Sequence, residues 1–303
     1  MISICIPVYN FNVRRLVQAL EIQKTKSTYP IEILLIDDGS EQKIKEENAP
    51  YCLNHRYIEL NGNIGRSRVR NLFVKHAAFT YLLFLDCDSL IIKDNFLSCY
   101  TNTLGFPAKR LQVICGGREY PVKAPGKNRL LRYKYGVQRE SKSATERQKH
   151  PNRSFMTNNF LVKKELIETI GFDENLSGYG HEDTLFGLEL QSQNIEVVHI
   201  DNPVLNGDIE TNAEYLEKTR QGIINLVHIL HHYPNRALLI ENVTLLKTYF
   251  KIKNAVFLLR IFFPFLRGFT LYLLNRGIGT DKLFAFYKLL LIAVEIKRSS
   301  QKN

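Results

Sequence analysis

The first hundred residues alternate short apolar, β-branched runs with helix-spaced runs. That alternation restricts the chain to a mostly parallel sheet covered by helices on both faces. Residues 2–7 form a strand pattern closed by Asn10 and Asn12, and residues 13–24 carry helical spacing at Val13, Leu16, Val17 and Leu20. Ile31–Asp37 is a continuous apolar run with an acidic end, as a strand buried on both faces requires. A turn at Asp38-Gly39-Ser40 leads to a polar helix pattern over 41–48, a strand over 56–60, a turn over 61–65 and a helix over 67–78. Tyr81–Leu85 is another buried strand, and Asp86-Cys87-Asp88 ends it.

Sheets of this kind bind ligands beyond the carboxyl ends of their strands, near a switch in strand order. The polar clusters fall there: Tyr9-Asn10 after the first strand, Asp37–Ser40 after the second, Asp86–Asp88 after the fourth. Farther on, a helix is expected over 164–170, ended by Gly171. A glycine-rich loop over 176–183 enters a helix over 184–191, followed by a strand over 195–200 and a long helix over 213–231.

Charge narrows the partners. The formal charge is +11, but residues 123–153 and 241–303 each hold a net +8, which leaves the remainder at −5. A uniformly basic nucleic-acid binder is therefore disfavoured, and no stacking aromatics interleave the basic runs. Five scattered cysteines without a CxxC pair exclude a zinc finger or disulfide scaffold and fit a reducing, cytoplasmic setting. The N-terminal run reads as a strand rather than a signal peptide. The most apolar stretch, 255–274, is broken by Arg260, Pro264 and Arg267, so it does not read as a membrane span.

Three acidic clusters carry candidate chemistry. Asp86 and Asp88, one residue apart at a strand exit, suit a Mn²⁺ or Mg²⁺ ion that neutralises a diphosphate. As an isolated motif the pair is more often a solvated turn; its place at the end of Tyr81–Leu85, with Asp37-Asp38 at another strand end, favours the functional reading. At the second strand end, Asp38 is a candidate acceptor for a base N–H or ribose hydroxyl, with Ser40 as a helix cap. Glu182-Asp183, at a loop–helix junction, offers a general base for a hydroxyl. Two acids there also complement the helix dipole.

Pro7-Val8-Tyr9-Asn10, Asp37-Asp38-Gly39-Ser40, Asn63-Ile64-Gly65 with Arg70-Asn71, Asp86-Cys87-Asp88 and Gly180-His181-Glu182-Asp183 occur in the order and approximate spacing of inverting family 2 glycosyltransferases. The resemblance covers residues 1–235. It implies the glycosyltransferase A fold: a Rossmann-like nucleotide-binding half over 1–115 and an acceptor half over 116–235. Residues 236–303 are left as an apolar, basic helical appendage. By the same resemblance Pro7 and Tyr9 line the nucleobase and ribose pocket and Asp38 bonds the base. Arg70 lies near the nucleotide or orders the metal loop, and Asp86 approaches the ribose or the metal through water. Asp88 is the direct metal ligand, Asp183 the general base, and Glu182 contacts sugar or acceptor hydroxyls. Related enzymes place a metal-binding His about 23 residues after the base. Asn206 stands there in this chain. His199, nearby, is either a second candidate ligand or a core histidine.

The expected function is metal-dependent transfer, with inversion, from a nucleotide diphosphate sugar, UDP-linked, to a hydroxyl of a glycan or lipid-linked acceptor in cell-surface polysaccharide synthesis. Two alternatives stand beside it: a non-catalytic nucleotide- or glycan-binding protein, and a sugar-phosphate nucleotidyltransferase. The latter normally carries a Gly-rich basic loop after its first strand, where this chain has Tyr9-Asn10-Phe11-Asn12-Val13. Residues 121–153 read mostly as a mobile basic loop with one short helix, whose Lys123, Lys127, Arg129, Arg132 and Arg139 are candidate phosphate contacts. Residues 257–267 and 283–296 mix large apolar and basic side chains, which suits peripheral seating on the cytoplasmic membrane face.

Overall fold

A computed structural model describes residues 1–105, 112–253, 263–279 and 281–301. The chain forms two compact units. One comprises Met1–Pro121, Arg139–Asn175 and Glu182–Asp208, and the other Val122–Gln138, Leu176–His181 and Ile209–Asn303. The long helix after residue 211 groups with the C-terminal helices, because it supplies the apolar face on which they pack.

The first unit is built on strands β1 (Ile2–Val8), β2 (Ile31–Asp37), β3 (Arg56–Glu59), β4 (Tyr81–Leu85), β6 (Val113–Cys115), β8 (Asn159–Lys163) and β9 (Val198–His199). They form one sheet in the order β3-β2-β1-β4-β8-β6-β9. β3, β2, β1 and β4 are parallel, and β8 runs antiparallel to both β4 and β6. The register pairs Ile2 with Ile31 and Tyr81, and Val8 with Asp37. Strand order reverses at β1, between β2 and β4, so the three polar clusters share the switch point. A second sheet, β5 (Ser89–Ile91), β10 (Val204–Asn206) and β7 (Arg118–Glu119), pairs Asn206 with Ser89.

Alternation along the strands separates two cores. Ile4 and Ile6 of β1, with Ile33 and Leu35 of β2, meet Leu16, Val17 and Leu20 of α1 (Arg14–Thr25). They also meet Phe96, Leu97 and Tyr100 near residue 100. Cys5, Leu34 and Ile36 face the other way, toward Val69 and Phe73 of α3 (Arg66–His76). That second core is an aromatic stack in which Phe160 lies 5.0 Å from both Phe84 and Phe155, and Phe172 lies 4.6 Å from Phe186. No side chain caps α1, but Asn48 Oδ1 accepts the Val13 N–H at 3.0 Å and its Nδ2 donates to the Phe11 carbonyl at 2.9 Å. This buried amide fixes where α1 begins.

Residues 121–153 are mostly helical rather than a mobile loop. A 3₁₀ turn (Lys127–Arg129), a helix (Leu130–Tyr135), a π turn (Gly136–Glu140) and a helix (Ala144–Gln148) follow in sequence. Several of the basic residues have structural work. Arg147 is buried and donates to the carbonyls of Lys142, Cys115, Gly116 and Ile200, which periodicity cannot report. In the second unit Arg129 bonds the Ile209 carbonyl, and Arg132 pairs with Glu210 at 3.5 Å.

The second unit centres on the helix Asn212–His232, which opens with a capping box of Thr211 and Glu214. Phe284, Tyr287, Leu290, Leu291, Ile292 and Ala293 of the helix Asp281–Ser300 are buried, with Phe284 5.4 Å from Tyr215 and 5.6 Å from Tyr135. One face of residues 283–296 is thus packed into the core of this unit. Most of 257–267 lies outside the described residues. Among the described residues no helix is long and apolar enough to cross a membrane.

Replacing Phe160, fully buried in the aromatic stack, by Ala is expected to cost about 3–5 kcal/mol. Ile22→Ala on the exposed side of α1 should stay within about 0.5 kcal/mol. Urea denaturation midpoints of the two variants check this.

Candidate active site

The carboxyl ends of β1 and β2 are stitched together by their own loops. Asp37 is fully buried. One of its oxygens accepts the Ser40 N–H at 2.7 Å and the other the Tyr57 hydroxyl at 2.9 Å. Ser40 does not cap a helix: the cap position is Glu41, and Ser40 Oγ accepts the Asn10 N–H at 2.8 Å instead. Asn10 in turn accepts the Glu41 N–H at 2.8 Å. Gly39, at φ +79, passes so close to Gly62 that a Cβ would lie 2.4 Å from a backbone carbon. Only glycine fits that crossing.

Asp38 is buried, and its oxygens accept the backbone N–H groups of Ile64 at 2.7 Å and Gly65 at 3.1 Å. It therefore fastens the 62–65 turn and the start of α3 to the end of β2. Burial pushes its carboxyl above the ordinary value despite the two amide donors. Each oxygen keeps a second acceptor direction. Tyr9 is half exposed beside these loops, and Pro7 lies in β1 opposite Ile36.

Arg70 of α3 is only 2% exposed. Its guanidinium reaches Asp86 at 3.1 Å and Glu182 at 3.7 Å. One buried cation thus joins the loop after β4 to the first turn of the helix α8 (Glu182–Ser192). Two further arginines, not singled out in the sequence, complete the array. Arg66 pairs with Glu182 at 3.6 Å and also draws down the Asp88 carboxyl. Arg118 of β7 pairs with Asp86 at 3.3 Å and with Glu140 at 3.5 Å, and Glu140 also accepts the Tyr120 hydroxyl. The signal for Arg118 is weak: it follows Gly116-Gly117, where a Cβ on Gly116 would clash with Asn159, Tyr100 and Asn202.

Asp88 follows a different logic. Burial, and then the neighbouring Asp86, push its carboxyl up to about 6, while Arg118 and Arg66 oppose the rise. Its backbone carbonyl accepts the Gly207 N–H at 3.1 Å, so the β10 end carrying Asn206 is tied to the loop that carries Asp88. Asp183 is also pushed up to about 6, by burial and then by Glu182, against the pull of Thr184 and Arg70. Asp183 accepts the Thr184 N–H at 2.7 Å.

His199 is buried, with a close partner at each ring nitrogen. Arg147 Nη1 lies 2.7 Å from Nδ1 and the Pro151 carbonyl 2.9 Å from Nε2, so both ring nitrogens are occupied. Burial lowers its pKa to about 4, which keeps the ring neutral at physiological pH. Among the described residues no group of three or more His, Cys, Asp or Glu could enclose a metal ion. The oxygen donors of Asp88, Asp86 and Asn206 still fit a hard cation that completes its shell with water and substrate phosphate, as Mg²⁺ and Mn²⁺ do.

With this geometry in place, similarity to known proteins is informative. An uncharacterized glycosyltransferase of Rickettsia conorii is 38% identical over 95 residues, 31% of this chain but 15% of that protein. One from Rickettsia felis is 37% identical over a stretch of the same length. The chain thus matches only a small part of these longer relatives. Among solved structures, a mannosyltransferase from Pyrobaculum calidifontis in complex with GDP-Man and Mn²⁺ superposes at TM-score 0.64 and 15% identity, over 100% of this chain and 88% of that one. Glucosyl-3-phosphoglycerate synthase from Mycobacterium tuberculosis, in complex with Mn²⁺, UDP and glucosyl-3-phosphoglycerate, superposes at 0.52 and 12% identity, over 75% and 79%. These likenesses establish the glycosyltransferase A fold. The family model for glycosyl transferase family 2 matches residues 3–171, more than half of the sequence, and the chain belongs to that family of glycosyltransferases.

Proposed function

We propose that the chain transfers a sugar, with inversion at its anomeric carbon, from a nucleotide diphosphate sugar to a hydroxyl of a glycan or lipid-linked glycan acceptor. UDP is the favoured nucleotide, the process is cell-surface polysaccharide assembly, and the site is the cytoplasmic face of a membrane. The observation that carries the reading is Arg70, which draws Asp86 and Glu182 around one buried guanidinium. Two acidic segments about a hundred residues apart along the chain thereby face one place.

Within this reading Tyr9 and Pro7 border the base and ribose, and Asp38 offers its remaining acceptor directions to the base. Arg70 and Asp86 hold the nucleotide end of the site. Asp88 would hold the cation, with Asp86 and the Asn206 amide oxygen as its further protein donors. A bound Mn²⁺ or Mg²⁺ supplies positive charge against the leaving diphosphate. Asp183 takes the proton of the acceptor hydroxyl, whose oxygen attacks the anomeric carbon on the side opposite the diphosphate. Glu182, held by Arg66 and Arg70, contacts sugar or acceptor hydroxyls. A carboxyl titrating near 6 is more basic than an ordinary aspartate and still ionised at neutral pH, which suits that proton transfer.

A hydrolysis screen of UDP-, GDP- and dTDP-sugars with Mn²⁺ tests the donor class. Failure to hydrolyse any of them would overturn the proposal. Asp183→Asn should lower transfer by roughly 10²–10⁴-fold while nucleotide affinity by calorimetry stays unchanged. Because the folded state raises the Asp183 pKa, its ionised form opposes folding as pH rises through about 6. The same variant should therefore melt higher than the native chain at pH 8 and alike near pH 4.

The pH profile of kcat/KM should carry an acidic limb near 6 as Asp183 ionises, and stopped assays from pH 5 to 8 locate it. Asp88→Ala should abolish the Mn²⁺-dependent part of nucleotide binding, and Asn206→Ala should weaken it. Titrations with Mn²⁺ and with a chelator separate that part from the rest.

A further inference from the structure

The helix Phe263–Asn275 is apolar on two sides. One side buries Thr270 and Leu274 inside the second unit. On the other, Phe265, Phe269 and Tyr272 follow at steps of four and three residues, which places them on one helical stripe. They are 80%, 59% and 52% exposed, and Ile278, just past the helix, is 54% exposed. Arg276 continues the stripe, its guanidinium 4.3 Å above the Tyr272 ring. The stripe is held in place at its end. Gly277, at φ +68, donates to the Leu274 carbonyl, and Ile278 donates to that of Leu273, both at 3.0 Å.

Clustered exposed aromatic side chains on one helix face mark a contact surface. The surrounding charge selects the partner. Residues 241–303 carry a net +8, and Arg276, Lys282, Lys297 and Arg298 are all exposed. A second copy meeting this one through the same face would bring like charge against like. A negatively charged lipid surface accepts both the cations and the rings, with tyrosine and arginine at headgroup depth.

We propose that the Phe265–Phe269–Tyr272 stripe, extended by Ile278, seats the second unit in the interface of an anionic bilayer. The proposal rests on the peripheral-membrane part of the functional reading and names the face that makes the contact. It adds to the sequence expectation a stripe that is more exposed than residues 283–296, where Phe284, Tyr287, Leu290, Leu291, Ile292 and Ala293 are buried.

The test is flotation of the full chain with vesicles of equal parts phosphatidylglycerol and phosphatidylcholine. Binding should be strong, fall in high salt and be weak on phosphatidylcholine alone. The combined variant Phe265→Ser, Phe269→Ser, Tyr272→Ser should lower the partition coefficient at least about tenfold. Arg276→Gln with Lys282→Gln should lower it less. Equal flotation of the triple variant, or salt-insensitive binding to pure phosphatidylcholine, overturns the proposal. So does a native dimer that the triple variant dissolves in sedimentation experiments. Sugar-donor hydrolysis without vesicles, measured on the same samples, should be unchanged by the triple substitution. Its absence in the native chain would count against the transferase reading and leave the lipid result standing.

Discussion

A guanidinium with 2% exposure cannot remain charged without partners, and the partners of Arg70 determine where two distant segments go. Asp86 arrives on the loop after β4 and Glu182 on the first turn of α8. Removing either carboxylate would strand buried charge, a loss far larger than that of a surface ion pair. The pairing fixes positions as well as charge, since α3 itself is fastened to β2 through Asp38. A line of polar contacts thus runs from Asp38 through α3 and Arg70 to both acidic segments.

Electrostatic roles divide along this line. Asp86 sits between two arginines and serves as an anchor. Burial makes the charge of Asp88 and Asp183 expensive. Cost of that kind is frequent among groups that do chemistry, which supports the roles proposed for them.

Much of this was legible in the sequence because the signals were local. The run Ile31–Asp37 is a strand with those same bounds, and the glycine and acidic punctuation marked the strand ends. What escaped depends on contacts that spacing does not encode. The basic residues of 121–153 resembled a solvated loop, yet Arg147 is an internal hydrogen-bond hub, because a guanidinium can satisfy several carbonyls at once. Arg66 and Arg118 enter the site through tertiary packing alone. The apolar run 283–296 could not reveal which partner buries it, and it proved to be Tyr135, Tyr215 and their neighbours. The sequence offered two readings of His199 because it does not report the partners of the ring nitrogens, Arg147 and the Pro151 carbonyl.

The bond from Gly207 to the Asp88 carbonyl uses the main chain and leaves the carboxylate uncommitted to that latch. A Cβ at Gly207 would lie 2.7 Å from the same oxygen, so only glycine fits this crossing of the two loops. The loop's shape is therefore set when the protein folds. On the proposed reading, a cation and phosphates held by this loop would bind without the entropic penalty of immobilising its backbone.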